Sequence, residues 1–442
     1  MSKHEQTQSS IDLTSNESII NWIIGSATDT NPPPPQSTTA QVRSVPSILR
    51  EKHEYDKYFV PHAVSIGPYH FGEPKLQLLE KRKPDFAMKL FSNDMEALAS
   101  LYIKLGEASM LKELRSFYEE NTTSTYSDKV FTRMMLLDSC FILYFVRSVF
   151  NENSFNFREI KSDQIFLVSE DLFMFENQIP YKLLSLVMSL AKLNVRKEIL
   201  WHIRRASMLG SLKPKRNSEL FENEPDHLLH LLHRNHTPDK NVRVPMNESD
   251  KKYKYQGSNF PNVNQLLDVG IRFRPCDPIS LENVAFSRGW YCEFSAAVRL
   301  PPVAVDYSTK LVLLNLIAYE MRTVDSNAPF MGYVCLLQLM IINHEDVKVL
   351  RDAGVLESYL GTDNDVVNLF NDVASDLVPH NADYSSVKEM IQRHHENWSN
   401  TPISLVMHEY RKSPWKFISL LGALIALFLT GVQTYFTVWS LK

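Results

Sequence analysis

The sequence predicts a mainly α-helical protein: a multi-helix globular domain with a small β element, a flexible N-terminal tail and a single C-terminal transmembrane helix. Three observations carry this prediction. Apolar residues recur at helical spacing along most of the chain, the N-terminus is polar and proline-rich, and 25 residues from Phe417 to Leu441 contain no charge. The chain has 442 residues, 44% hydrophobic and 22% charged, which is typical of a folded protein with a large core.

Residues 1–43 are predicted to form a disordered tail. This stretch is rich in Ser, Thr and Gln, and "NPPPPQSTT" (Asn31–Thr39) favours an extended polyproline conformation that cannot bury a core. We expect a helical domain over 44–412 that begins near Val45.

Helical periodicity and its interruptions outline this domain. The predicted helical segments are Asn93–Glu120 with Asn93 or Asp94 as N-cap, Ser127–Phe150, Ser169–Leu193, Ser308–Met321, Pro329–Asn343, Asp365–Leu377 and Asp383–Trp398. Pro180 should end or kink the third segment, because proline cannot continue a helix. Residues 208–260 are charged and polar, which predicts an exposed, partly disordered insert with one short helix around His227–His233. Short alternating runs between 270 and 306 predict the small β element.

The uncharged C-terminal stretch predicts a transmembrane helix over 415–440, since about 20 residues cross a bilayer. Arg411, Lys412 and Lys416 precede it, so the positive-inside rule predicts a single-pass membrane protein with a cytosolic N-terminal domain, in the plasma membrane or endoplasmic reticulum. Membrane lipid is then a predicted partner. The predicted anchor residues are Trp415, Phe417, Leu421, Leu424, Leu427, Phe428 and Trp439.

Four small residues recur at every fourth position of this stretch: Gly422, Ala426, Thr430 and Thr434. Such a stripe lets two helices approach closely, which predicts a helix–helix contact and a homo- or hetero-oligomer. The alternative is that these residues are simply common in membrane helices.

Four histidines, His227, His230, His233 and His236, form the strongest candidate for a metal site. Imidazoles are good zinc ligands, but successive steps of three residues each turn about 60° around a helix and spread the side chains apart. The pattern therefore favours an amphipathic helix with incidental histidines.

No sequence signature of a nucleotide site or of the common hydrolases occurs, so we assign no catalytic, cofactor-binding or metal-binding residue and predict no enzyme. An enzyme whose site is assembled from distant residues is the alternative. The net charge of −4 argues against nucleic acid as a partner. The four cysteines are few and widely spaced and do not resemble a disulfide framework, which fits a reducing compartment.

Several stretches together resemble the plant-specific domain of unknown function 247 family. They include "VPSILR", "YFVPHAVSIGPYHFGEPKLQLLEKRK", "FTRMMLLDSCFIL", "DLFMFENQIPYKLL", "HLLHLLH" and "GYVCLLQLMIINHEDVKVLRDAGVLESYLG". The best match, "VSIGPYH", contains a Gly67-Pro68 step that demands a special turn and is interpreted as structural.

The resemblance implies a mostly helical domain with a C-terminal membrane segment, and it supplies no established activity. Some members are associated with self-incompatibility in grasses. By this analogy the chain is expected to be a membrane-anchored interaction or recognition protein without catalytic activity, acting with unidentified protein partners in cell–cell recognition such as self-incompatibility signalling.

Overall fold

A computed structural model describes most of the chain from residue 41 onward. The described residues are 41–151, 160–210, 219–221, 223–237, 260–289, 295–323, 328–375, 377, 384–399, 401–402, 404 and 414–439. The predicted tail, apart from its last three residues, and much of the predicted insert lie outside them.

The contacts within the chain define two compact units, although the sequence indicated no boundary inside 44–412. The first unit comprises the described residues of 1–242 and 306–331, and the second comprises those of 243–305 and 332–442. Each unit is therefore built from two separate stretches of sequence.

The first unit is helical. Its helices are α1 (Ser47–Lys52), α2 (Tyr55–Tyr58), α3 (Gln77–Glu80), α4 (Lys83–Leu90), α5 (Met95–Leu105), α6 (Ala108–Ser116), α7 (Glu120–Thr123), α8 (Asp128–Phe150), α9 (Ser162–Asp171), α10 (Tyr181–Leu190), α11 (Arg196–Ala206), α12 (Leu228–His236) and α14 (Thr309–Arg322), with 3-10 turns at Pro74–Leu76 and Glu219–Phe221. Of the two predicted caps, Asn93 and Asp94, the structure has Asp94, whose carboxylate accepts a hydrogen bond from the Ala97 N–H at 3.0 Å.

Helix α8 is the core of this unit, as its nearly continuous apolar sequence predicted. The Ser127 hydroxyl caps its N-terminus by accepting from the Val130 N–H at 3.4 Å. The Phe86 ring of α4 packs against the Phe141 and Tyr144 rings, with centroids 5.6 and 5.2 Å apart. Each large apolar side chain buried in this way contributes about 1.5–3 kcal/mol.

Three predictions for this unit differ from the structure. The predicted segment Asn93–Glu120 is not one helix, because α5 ends at Leu105 and α6 runs from Ala108 to Ser116. Residues 172–180 are not helical: α9 ends at Asp171, and α10 starts immediately after Pro180. Part of the predicted exposed insert is instead buried, since Leu228, Leu229, Leu231 and Leu232 have no more than slight exposure.

The second unit combines helices with the predicted small β element. Its elements are α13 (Val263–Asp268), β1 (Ile271–Pro275), a 3-10 turn (Leu281–Asn283), β2 (Ala285–Arg288), β3 (Ala296–Leu300), β4 (Val303–Val305), α16 (His344–Asp352), β5 (Leu356–Ser358), α17 (Asp363–Ala374), α18 (Ser385–Trp398) and α19 (Pro414–Trp439). Helix α15 (Pro329–Met340) belongs to the first unit in its first three residues and to the second thereafter.

Three strands form one sheet in the order β1-β3-β2, and β4 pairs with β5. Strands β1 and β3 are parallel, whereas β2 and β3 are antiparallel. The buried Asp346 carboxylate organises the start of α16, because it accepts from the Asn264, Ile342 and Asn343 N–H groups at 3.0, 3.1 and 3.1 Å.

Among the described residues, no helix is both long enough and apolar enough to cross a membrane. The predicted transmembrane helix over 415–440 and the predicted single-pass membrane location are therefore wrong. The prediction rested on the length of the stretch and its lack of charge, and uncharged polar side chains lower its hydropathy without adding charge. Within α19, Thr430, Gln433 and Thr434 carry polar groups among the apolar ones.

Candidate functional site

The candidate site is a loop held in place by buried polar side chains of the first unit. The loop comprises residues 59–70 (FVPHAVSIGPYH) and is called the anchored loop here. Beside it lies the segment 171–178 (DLFMFENQ), which leaves α9 and makes a series of turns before α10. Asp171, Glu176, Asn177 and Gln178 are all buried although they are polar, so each has to find partners inside the protein.

Asp171 holds the first half of the anchored loop. Its fully buried carboxylate accepts from the N–H groups of His62, Ala63 and Val64 at 2.8, 2.7 and 2.9 Å. Asn177 continues this pattern by accepting from the Ile66 N–H at 2.7 Å and donating to the Val64 carbonyl at 3.2 Å. Asp171 and Asn177 therefore provide these backbone groups of the loop with the hydrogen-bond partners that a neighbouring strand would otherwise provide.

Glu176 accepts hydrogen bonds from polar groups near the start of the described chain. Its Oε1 accepts from the Val45 N–H at 2.6 Å and from Arg50 Nη2 at 2.5 Å, and its Oε2 accepts from the Tyr55 hydroxyl at 2.5 Å. His70 Nε2 lies 3.5 Å from Oε2. Burial by itself would raise the pKa of Glu176, but these partners outweigh burial and lower it, so the carboxylate remains ionised.

Lys83 and Asp138 hold the second half of the loop. The Lys83 ammonium, which is inaccessible to solvent, donates to Glu80, to Asp138 Oδ1 at 2.5 Å and to the Ser65 carbonyl at 2.5 Å. Burial lowers the pKa of Lys83, and the two carboxylates overcome this effect and raise it. Burial raises the pKa of Asp138 to about 7 even though Lys83 opposes the shift.

Asp138 also fixes the turn at Gly67, as its Oδ2 accepts from the Gly67 N–H at 2.7 Å. Gly67 has a φ of +77°, which confirms the special turn predicted for the Gly67-Pro68 step. A Cβ added there would lie 2.8 Å from the Gln178 carbonyl oxygen and 3.3 Å from the Tyr118 hydroxyl.

We expect Gly67→Ala to lower the free energy of unfolding by more than about 2 kcal/mol, because it adds a steric clash to an unfavourable backbone conformation. Gly72→Ala is the matched control: Gly72 has a φ of +89°, but an added Cβ would meet nothing within 4 Å. Its cost should be about 1 kcal/mol. Chemical denaturation of both variants gives the comparison, and equal losses would contradict a crowded site at Gly67.

The chemistry open to this cluster is limited by its burial. A protonated, inaccessible Lys83 is no nucleophile at neutral pH. Asp138 has a pKa suited to proton transfer, but both of its oxygens already face Lys83 or the Gly67 N–H. The arrangement thus serves to position the anchored loop.

The four candidate histidines do not converge on one point. His227 caps α12 by accepting from the His230 N–H at 3.1 Å, and burial, reinforced by the neighbouring His230 imidazole, lowers its pKa to about 3. His233 Nε2 lies 2.8 Å from Glu320 Oε1, and the Ser207 hydroxyl lies 2.5 Å from His236 Nε2. In the part of the chain that the structure describes, no three potential ligands are grouped around one metal position.

Glu320 links this helix to the start of α15. Its buried carboxylate accepts from the Phe330 and Met331 N–H groups, both at 2.9 Å, while it also contacts His233. Tyr319, the preceding residue, packs its ring among three imidazoles, with centroid distances of 5.4 Å to His227, 5.6 Å to His230 and 5.3 Å to His233. The histidine motif is thus part of the packing of the first unit.

The predicted C-terminal residues all lie on or just before α19. Of the predicted anchor residues, six have exposed side chains, namely Trp415, Leu421, Leu424, Leu427, Phe428 and Trp439. The Phe417 and Lys416 side chains, together with Arg411 and Lys412, lie outside the described residues. On the predicted stripe, an added Cβ at Gly422 would meet nothing within 4 Å, and the Thr430 and Thr434 hydroxyls donate to carbonyls of their own helix at 2.8 Å.

The second unit contains a pocket of about 330 Å³ lined by Arg288, His394, Asn397 and Trp398. His394 Nε2 is 3.0 Å from the Val269 carbonyl oxygen, so this ring is also held by the protein itself. None of the predicted site residues lies in this pocket.

Sequence reasoning missed the residues that hold the anchored loop. It assigned no catalytic, cofactor-binding or metal-binding residue and named none of these buried polar side chains. A signal was present, because Asp138 interrupts the apolar run "MMLLDSCFIL" and "ENQ" interrupts the apolar residues between "LFMF" and Ile179. Charged or amide side chains within apolar runs are buried, and buried polar groups need partners.

Fold and site together define a class: a mainly helical protein whose buried polar side chains hold a loop in position. The family described as "Plant protein of unknown function", DUF247, matches residues 42–429, so the chain belongs to that family. Two proteins of Arabidopsis thaliana are similar. UPF0481 protein At3g47200 is 26% identical over 426 residues, covering 87% of this chain and 83% of the relative. Putative UPF0481 protein At3g02645 is 22% identical over 511 residues, covering 92% and 91%. No solved structure matches the chain.

Proposed function

We propose that this protein is an interaction protein without catalytic activity, and that it assembles with a second copy of itself through α19. The observation that carries the proposal is the apolar surface of this helix. Trp415, Phe428 and Trp439 are 78%, 71% and 67% exposed, and every side chain described for the helix is exposed. Large apolar side chains exposed together in this way are typical of a surface that binds a partner.

A second copy is favoured because the small residues form one self-complementary stripe. Gly422, Ala426, Thr430 and Thr434 repeat every four residues, so the same stripe on two helices allows a close, symmetric approach. Since the threonine hydroxyls already donate within their own helix, this contact depends on close packing of small side chains.

The proposed absence of catalysis is supported by the use of the buried polar groups. Four buried side chains form their hydrogen bonds with the anchored loop and its surroundings, namely Lys83, Asp138, Asp171 and Glu176. The alternative is an enzyme assembled from distant residues, and the pKa of Asp138 near 7 is the observation that favours it. The family resemblance suggests recognition between cells, such as self-incompatibility, as the process in which the assembled protein would act.

The test is the mass of the full chain in solution, measured by light scattering after size-exclusion chromatography. We expect a dimer that Ala426→Phe converts to a monomer, because the added ring keeps the two stripes apart. Leu424→Phe adds bulk to the opposite side of α19 and should leave the dimer intact. A monomeric full chain, equal effects of the two variants, or partition into phospholipid vesicles instead of dimerisation would overturn the proposal.

A further inference from the structure

The three-stranded sheet of the second unit carries three arginines on one face. Along β1, Ile271 and Phe273 are buried while Arg272 and Arg274 are exposed. On β3, Arg299 is exposed and its neighbours Val298 and Leu300 are buried. Because side chains alternate along a strand, the three arginines project from the side opposite the buried residues.

The strand register brings these arginines together. The parallel pairing of β1 and β3 sets Arg274 beside Arg299 and Arg272 beside Ala297. The antiparallel pairing of β2 and β3 sets Ala285 beside Arg299 and Ser287 beside Ala297. We call this surface the arginine face; it consists of Arg272, Arg274 and Arg299 above the small side chains of Ala285, Ser287 and Ala297.

None of the three arginines forms an ion pair within the part of the chain that the structure describes. Like charges on facing strand positions repel each other and destabilise a sheet. A surface that served folding alone would gain from a carboxylate at one of these positions. The lack of a compensating negative charge is explained if an anionic partner provides that charge.

We propose that the arginine face binds an extended acidic segment of a partner protein. Side chains on one side of an extended peptide repeat about every 6.6 Å, which is also the spacing of Arg272 and Arg274 along β1. Alternate carboxylates of such a peptide would each meet a guanidinium, whose planar donors match a carboxylate in a bidentate geometry. Arg299 lies on the neighbouring strand β3, so the positively charged surface extends over two strands.

The composition of the face favours a peptide over a nucleic acid. Its small residues provide no aromatic ring on which bases could stack, and the chain as a whole has a net charge of −4. The proposal concerns a surface separate from α19 and holds whether or not the chain dimerises.

The test is the binding of the full chain to two fluorescent twelve-residue peptides with the same composition, followed by anisotropy at low salt. In the first, Glu and Thr alternate, and in the second, six Glu residues precede six Thr residues. We expect the alternating peptide to bind at least tenfold more tightly, and Arg274→Gln combined with Arg299→Gln to weaken its binding at least tenfold. Lys348→Gln removes one exposed charge from α16 of the same unit and should change the affinity less than twofold.

The double variant should unfold at the same temperature as the unchanged chain or slightly above it, because facing like charges are removed. A loss of binding with an unchanged melting temperature supports the proposal. Equal affinity for the two peptides, or binding that survives the double substitution, would overturn it. So would tighter, arginine-dependent binding to a single-stranded oligonucleotide or to anionic lipid vesicles.

Discussion

Replacement of Lys83 by methionine should lower the free energy of unfolding by about 3–5 kcal/mol at neutral pH, because it leaves buried carboxylate charge without its partner. The Lys83 ammonium contacts Asp138, Glu80 and the Ser65 carbonyl, and methionine fills much of the same space without donating a hydrogen bond. Chemical denaturation of both proteins measures the difference. Lys89→Met, at an exposed position of the same helix, should cost less than about 0.5 kcal/mol.

The pH dependence of this loss provides a sharper test. Asp138 has a pKa of about 7 in the folded protein, raised mainly by burial, and its ordinary value is 3.8. A carboxyl group with a raised pKa binds its proton more readily in the folded state, so falling pH stabilises the fold between about pH 7 and pH 4. The charge of Lys83 lowers the pKa of Asp138, so the removal of Lys83 should raise that pKa further. The loss in free energy of unfolding caused by Lys83→Met should therefore be smaller at pH 5 than at pH 8. Lys83→Met combined with Asp138→Asn should be more stable at pH 8 than Lys83→Met alone. A loss independent of pH would show that the charge of Asp138 is not its cause.

Replacement of Asp171 by alanine should cost about 3–5 kcal/mol, because three N–H groups of the anchored loop lose their acceptor together. Asp171→Asn keeps one acceptor oxygen and should cost roughly half as much. Equilibrium unfolding in urea would rank the two variants. Asp163→Ala, exposed on the same helix, should cost less than about 1 kcal/mol. If Asp171→Ala cost no more than this control, the carboxylate would not be what holds the loop.

The sequence predicted those parts of the fold that depend on near neighbours. Asp94, one of the two predicted caps, accepts a hydrogen bond from an N–H group three residues away, and Pro180 stands directly before α10. The family membership was also predicted, because long stretches of the chain carry its motifs.

The hydrogen bonds of the buried polar side chains could not be predicted, since their partners are distant in the sequence. Asp138 and Gly67 are 71 residues apart, and Glu176 and Val45 are 131 residues apart. A single sequence gives no means of pairing such groups. The segment 219–237 was misjudged for a related reason: its charged neighbours suggested exposure, whereas its leucines pack into the first unit.

One side chain of α14 has a consequence for the order of events during synthesis. Asn315 accepts from the Phe175 N–H at 2.8 Å and donates to the Tyr58 carbonyl at 2.8 Å, across separations of 140 and 257 residues. At a translation rate of roughly 5–20 residues per second, the ribosome adds those 140 residues in about 7–28 s. During that time the Phe175 N–H and the Tyr58 carbonyl have been synthesised, but their partner Asn315 has not. The first unit therefore cannot complete these two hydrogen bonds until α14 has left the ribosome.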